Sequence, residues 1–193
     1  MRGRTLGTIA AVAVTAVLAA LVVSALHTAT RELTLPLSHA SIIRQQAADK
    51  HLDPALIAAV IYAESKFEPR PSSAGAQGLM QILPATAYYL AHLSGGIRFT
   101  AGDLASPSIN VAYGSYYLRY LLDHYHGSEL LAVAAYNGGL ANVDRWVARA
   151  DAAGRRLTVG EIPFPETREY VQRVLSAQRA YRASYAHELG IAG

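Results

Sequence analysis

Three observations predict an all-α fold. Apolar residues recur three and four apart through nearly all of the chain beyond residue 38. No alternating apolar and polar run is long enough to argue a sheet. The breaks between periodic stretches carry the proline, serine and glycine that start and stop helices. At most a small hairpin is expected, within the loop region, and the chain shows no internal repeat. At 193 residues it is long enough for one well-formed core and too short for two ordinary domains.

The first element predicted is a membrane span. Arg2 and Arg4 precede a run from Leu6 to Leu26 that carries no charge. That run has about the length of a spanning helix and exceeds the ~7–15 apolar residues of a cleavable signal. Residues 1–30 are therefore read as an N-terminal anchor, with cleavage after Ser24-Ala25 as the alternative. Positive charge before the span leaves the N-terminus inside and exports everything after Arg31. The anchor places the protein at the cell membrane with the folded domain outside the cytoplasm, cleavage would give a secreted form, and the domain is exported in either version.

Residues 31–40 read as a linker and 41–190 as the folded domain. Within it, "SHASIIRQQAADK" is a first amphipathic helix. "DPALIAAVIYAES" is a second, capped by Asp53 with Pro54 at its first position, and Leu56, Ile57, Val60 and Ile61 form its buried stripe. "EPRPSSAGAQG" is a loop. A helix restarts at Pro84, and the longest internal one runs from about Ser108 to Tyr125, with Tyr113, Tyr117, Leu121 and Tyr125 four apart. Ser128 opens a short apolar helix that the Gly138-Gly139 pair breaks. "NVDRWVARA" follows, then the proline-bounded turn "EIPFPET". The last helix is expected from about Thr167 to Leu189, its stripe made of Tyr170, Val174, Tyr181 and Tyr185.

Composition excludes several kinds of chemistry. Of the 17 basic residues, Arg2 and Arg4 lie in the first segment, so the remainder sets 15 against 14 acidic residues and is nearly neutral. It has no basic stripe interleaved with aromatics, so no nucleic-acid partner is expected. With no cysteine there is no disulfide frame, thiolate metal site or cysteine nucleophile. The seven histidines fall in no HExxH frame, and no GxSxG, P-loop or GxGxxG occurs, so no metal and no cofactor is expected.

One residue stands out against this background. Glu64 extends the apolar stripe of the second helix by one turn, and a carboxyl there is partly desolvated. Its pKa should rise, so that it is protonated near neutral pH and can serve as a general acid. An ion pair at a helix end is the commoner use of such a glutamate, and the neighbouring residues have to decide between the two.

"ESKFEPRPSSAGAQGLMQILPATA" resembles the first motif block of the soluble lytic transglycosylase family, whose fold is similar to goose-type lysozyme. "DLASPSINVAYGSYYLRYLLDHYHG" is similar to the family in the spacing of Leu104, Pro107, Asn110, Gly114, Tyr117 and Leu118. "AYNGG" at 135–139 and "ETREYV" at 166–171 resemble later blocks, in the expected order. The resemblance implies a lysozyme-like helical domain that cleaves peptidoglycan glycan strands, with Glu64 as its catalytic acid. It also implies that Gln81 lines the cleft, that Ser72 is a polar group near the acid, and that Tyr136 and Asn137 lie at the cleft floor. There the Tyr136 hydroxyl is expected to bond the carboxyl or an acetamido group of the substrate. Glu166 matches a carboxylate facing bound muramyl sugar.

Two departures from the pattern are Leu83, where methionine is frequent, and Glu68-Pro69, where asparagine-proline is common. The second brings an extra acid close to Glu64. In the mechanism the resemblance implies, one glutamate works with the substrate's own acetamido and 6-hydroxyl groups and leaves a 1,6-anhydromuramyl end. Hydrolysis by a muramidase, or binding without turnover, are the alternatives.

Overall fold

The computed structural model describes residues 19–23, 34–95 and 98–191. The chain divides into two units, Met1–Pro36 and Leu37–Gly193. Of the first, residues 19–23 are helical and exposed. No helix among the described residues is long and apolar enough to cross a membrane. Most of the expected Leu6–Leu26 span lies outside them.

The second unit is helical. Its α-helices are α1 (Ala40–Lys50), α2 (Pro54–Ser65), α3 (Pro84–Ser94), α4 (Pro107–His124), α5 (Glu129–Gly138), α6 (Leu140–Ala152) and α7 (Pro165–Ser184). Short 3-10 turns at Ala101–Ala105 and Val159–Glu161 lead into α4 and α7. No strand occurs among the described residues; the expected hairpin reduces to one antiparallel bridge between Gln77 and Ile82.

Proline sets the helix starts. It stands in the first turn of α2, α3, α4 and α7, where its missing N–H costs nothing and its fixed φ suits the helix. Asp53 caps α2 by accepting from the Ala55 N–H at 2.9 Å. Two helices differ at their boundaries from the sequence expectation. The long internal helix starts at Pro107. The last one runs from Pro165 only to Ser184, because Tyr185 turns out of helical geometry at φ −134°. Tyr185 and Leu189 are nonetheless buried, in the turn that follows.

α2 is the centre of the unit. Every residue from Ala55 to Ile61 is buried, so this helix is encased on all sides where a stripe had been expected. α7 lies against it through Tyr170, Val171, Val174 and Tyr181, all buried. α5 packs on α7 and α4, and α1 packs on both α2 and α4. The axes of α2 and α7 run antiparallel: Gln178 and Arg182 each donate to Asp53 Oδ2 at 2.7 Å at the start of α2, whereas Tyr170 meets its end.

The segment between α2 and α3 is irregular and held from below. Asn110 of α4, fully buried, accepts from the Met80 N–H at 2.8 Å. Its Nδ2 donates to the Gln77 carbonyl at 2.8 Å and the Leu104 carbonyl at 3.2 Å. Gly78 has φ +76°, and a Cβ there would stand 2.1 Å from Asn110 Nδ2. The position therefore admits glycine alone, on both conformational and steric grounds.

Candidate active site

Glu64 occupies the last turn of α2, where the encased helix reaches a cleft. Lys66 and Phe67 follow with φ 52° and 65°, both left-handed, and end the helix immediately after Ser65. The Ser65 hydroxyl donates to the Leu79 carbonyl at 2.8 Å and so ties this helix end to the 77–82 segment. A cavity of about 480 Å³ opens here, lined by Glu64, Ser65, Lys66, Glu68, Arg70 and Gln81 among others.

The Glu64 carboxyl is half-buried. Burial pushes its pKa from 4.5 up to about 7, against a hydrogen bond from Tyr170 and the charge of Arg173, both of which pull it down. Its place in the last helical turn acts in the same direction as burial, since the negative end of the helix dipole disfavours a carboxylate. The Tyr170 hydroxyl donates to Glu64 Oε1 at 2.7 Å. Arg173, one turn further along α7, sets its guanidinium over the Tyr170 ring, 5.9 Å from the centroid. Oε1 is therefore engaged and Oε2 is the oxygen left to carry a transferable proton.

Tyr136, at the end of α5, donates its hydroxyl to the Met80 carbonyl at 2.9 Å. The tyrosine that bonds the carboxyl is thus Tyr170, which the sequence reading assigned to the core stripe. Both tyrosine pKa values are held well above 10 by burial, with the Glu64 charge adding to it, so both hydroxyls stay protonated as donors. Removing the Tyr170 donor should raise the Glu64 pKa further. For Tyr170→Phe, the limb of the pH–rate profile that reports loss of the Glu64 proton is expected at higher pH than in the wild type. An unmoved limb would mean that this bond does not tune the acid.

Gln81 sits at φ +47°, strained for a residue with a side chain. Its Nε2 donates to the carbonyls of Arg70 at 2.9 Å and Gly78 at 2.8 Å, which fixes the amide's orientation. It lines the Glu64 cavity and a second one of about 160 Å³, with Leu83, Thr86, Tyr117, Tyr136, Asn137 and Gly139. Asn137 is oriented by Thr167, whose hydroxyl donates to Asn137 Oδ1 at 2.8 Å. The structure thus brings Glu64, Gln81, Tyr136 and Asn137 together around two cavities that meet at Gln81.

Ser72 and Glu166 line neither cavity. The Ser72 hydroxyl accepts from the Ala76 N–H at 2.9 Å and closes its own loop. Glu166 is exposed in the first turn of α7, a placement the helix dipole favours. Glu68 lies in the loop after α2, beyond the left-handed Lys66 and Phe67 and consistent with the bias Pro69 imposes, and borders the Glu64 cavity with its carboxylate 2.8 Å from Arg70. No cluster of His, Cys, Asp and Glu suited to a metal ion occurs among the described residues.

Fold and site together define an all-helical protein whose cleft is served by one desolvated, tyrosine-bonded glutamate at the end of a buried helix. The profile of the transglycosylase SLT domain matches residues 41–159, and that of the soluble lytic transglycosylase helical domain matches residues 161–192. The chain belongs to the transglycosylase SLT domain family.

The chain is 34% identical over 164 residues to the soluble lytic murein transglycosylase of Salmonella typhimurium, covering 82% of this chain and 24% of that protein. It is 32% identical to membrane-bound lytic murein transglycosylase C of Salmonella arizonae, covering 73% of this chain and 45% of the relative. The crystal structure of the 70 kDa soluble lytic transglycosylase of Escherichia coli superposes with a TM-score of 0.75 at 29% identity, over 84% of this chain and 27% of that one. The chain thus spans about a quarter of the length of these soluble relatives. The segment matched by the helical-domain profile is the end of the 3-10 turn, α7 and the turn after it, and it belongs to the same folded unit as Glu64.

Proposed function

We propose that this protein is a lytic transglycosylase that cleaves the glycan strands of peptidoglycan, with Glu64 as its single acid and base. The observation that carries the reading is a carboxyl with a pKa near 7, one oxygen bonded by Tyr170, at the edge of a cleft large enough for sugar rings. Near neutral pH such a group is present in both forms, which suits a residue that must first give and then take a proton. Family membership and the murein transglycosylases among its relatives support the substrate class.

In the proposed reaction Glu64 Oε2 protonates the glycosidic oxygen as the bond from the anomeric carbon breaks. The acetamido carbonyl of the muramic sugar closes on that carbon in place of a second protein carboxylate. The Glu64 carboxylate then takes the proton of the 6-hydroxyl, whose oxygen displaces the acetamido group. A 1,6-anhydromuramyl end results and no water is consumed. Gln81, Tyr136 and Asn137 hold the sugars on either side. Tyr136, with its proton committed to Met80, presents hydroxyl lone pairs to a substrate donor. Ser72 keeps a role in shaping the loop and Glu166 one at the outer surface.

The second reading is hydrolysis. It rests on Glu68, whose carboxylate borders the same cavity and would serve as the base for a water if it left Arg70. Mass analysis of the muropeptides released by the purified protein separates the two. Transglycosylation predicts muramyl ends lighter by one water and resistant to borohydride. Mainly reducible ends would replace it with hydrolysis, and Glu68→Gln would then be the variant to assay.

The membrane anchor is part of the proposal. It is supported by the charge-free run from Leu6 to Leu26 behind Arg2 and Arg4. Such an anchor would hold the catalytic unit at the outer face of the membrane, within reach of the wall.

A further inference from the structure

The second cavity does not end at Tyr136. The ring of Tyr117, on α4, lies 5.3 Å from that of Tyr136 and lines the cavity with it. Tyr120, one turn further along α4, stands 6.4 Å from Tyr117 with its plane only 15° away. Tyr89, on α3, meets Tyr120 edge to face at 6.3 Å, and their hydroxyl oxygens are 3.4 Å apart. This is a continuous row of four tyrosines that starts inside the cleft and finishes at the surface. Tyr89 is 50% exposed, and Leu83 at the cavity edge is 43% exposed.

Packing does not account for the outer half of the row. A tyrosine buried for stability brings its ring into the core, whereas Tyr89 keeps half of its surface in water. The row also differs from the other end of the cleft. Around Glu64 the walls carry Lys66, Glu68 and Arg70, while the walls beyond Gln81 carry hydroxyls, amides and aromatic rings without a formal charge. A ligand matched to this second end is neutral, has flat apolar faces, and carries hydroxyls at its edges. A sugar ring meets all three conditions: its axial C–H bonds make an apolar face for a tyrosine ring, and its hydroxyls pair with phenolic oxygens.

We infer that Tyr120 and Tyr89 form a stacking platform that continues the cleft from Tyr117 and binds sugar rings of the glycan strand beyond those held at Gln81 and Asn137. The inference rests on the glycan-cleaving reading above and adds to it a dependence on strand length. Long strands reach Tyr89 and short ones stop at Tyr117. Because the platform binds remote sugars in ground state and transition state alike, its loss acts on KM and leaves kcat in place.

α3 supplies its own control. Tyr88 is 51% exposed, next to Tyr89 in sequence, but its ring turns to Phe99 at 5.3 Å and has no place in the row. The experiment measures kcat and KM of the full chain on long uncrosslinked glycan strands and on the shortest oligosaccharide it turns over, with glycan binding followed by calorimetry. Tyr89→Ala and Tyr120→Ala are expected to raise KM on long strands by about five-fold, the worth of an aromatic contact. On the short substrate they should match the wild type, as should Tyr88→Ala on both. Tyr89→Trp should restore long-strand KM, since it keeps a stacking face.

Equal loss on short and long substrates, no loss on long ones, or the same loss from Tyr88→Ala would overturn the platform. If the wild type cleaves neither substrate but binds long strands in a Tyr89-dependent way, the catalytic reading fails and the platform stands. If neither substrate is cleaved or bound, both fail.

Discussion

Glu64→Gln is expected to lower turnover of peptidoglycan by at least about 10²-fold while making the fold more stable above neutral pH. Glutamine keeps the shape of the side chain and an oxygen for the Tyr170 hydroxyl, but it has no proton to give. The stability change follows from linkage. The folded pKa of Glu64, about 7, lies above its ordinary value of 4.5. Between these values the native state holds more protons than the unfolded chain, so the wild type loses stability as pH rises through this window and regains none above it. Glutamine carries no such penalty. Allowing for partial solvent access, the gain above pH 7 is on the order of 1–2 kcal/mol, or about 2–8 °C in Tm, and it vanishes near pH 4. Thermal melts of both proteins at the two pH values, beside a turnover assay, measure both effects. Equal melting temperatures at high pH would show that burial does not raise the Glu64 pKa.

Asn110→Ala should be strongly destabilising although it removes no apolar side chain. It leaves the buried Met80 N–H and the Leu104 carbonyl without their partner, while the Gln77 carbonyl keeps the Ile82 N–H at 2.9 Å. Two stranded groups cost about 1–3 kcal/mol each, so the expected loss is about 2–4 kcal/mol, with a fall in Tm of about 5–15 °C. Activity should fall with it, because the same segment carries Gln81 and the Met80 carbonyl that holds Tyr136. A variant that melts within about 2 °C of the wild type would show that the segment is held by its other bonds, chief among them the one from Ser65.

The parts of the fold legible in the sequence were those that local chemistry writes. Asp53-Pro54 announced the start of α2, and Ser128 that of α5. Pro107 and Pro165 mark the starts of α4 and α7 in the same way, a residue or two before the starts expected at about Ser108 and Thr167. Glu64 was legible because it is an acid one turn beyond an apolar run. Its partner was not, since Tyr170 shares a helical stripe with Val174 and Tyr181 and nothing local distinguishes a tyrosine that packs from one that also donates. Asn110 hid in the same way: a single buried amide shows its worth only when the three backbone groups it serves, from two other segments, are in place. The row from Tyr117 to Tyr89 joins two helices and has no signature in either one.

α2 and α7 are joined at both ends. Asp53 is held by Gln178 and Arg182 at one end, and Glu64 by Tyr170 at the other. A beam supported at two points can neither slide lengthwise nor swivel without releasing both supports. Tyr170 therefore meets the carboxyl without help from a bound ligand, and the entropy of bringing acid and donor together is spent during folding and, in the proposed reaction, not again in each cycle. Under the proposed function, the stiffness of this pair, set as much by Asp53 at the other end of α2 as by anything in the cleft, would let Glu64 keep its aim while a long glycan strand tugs at the surface around it.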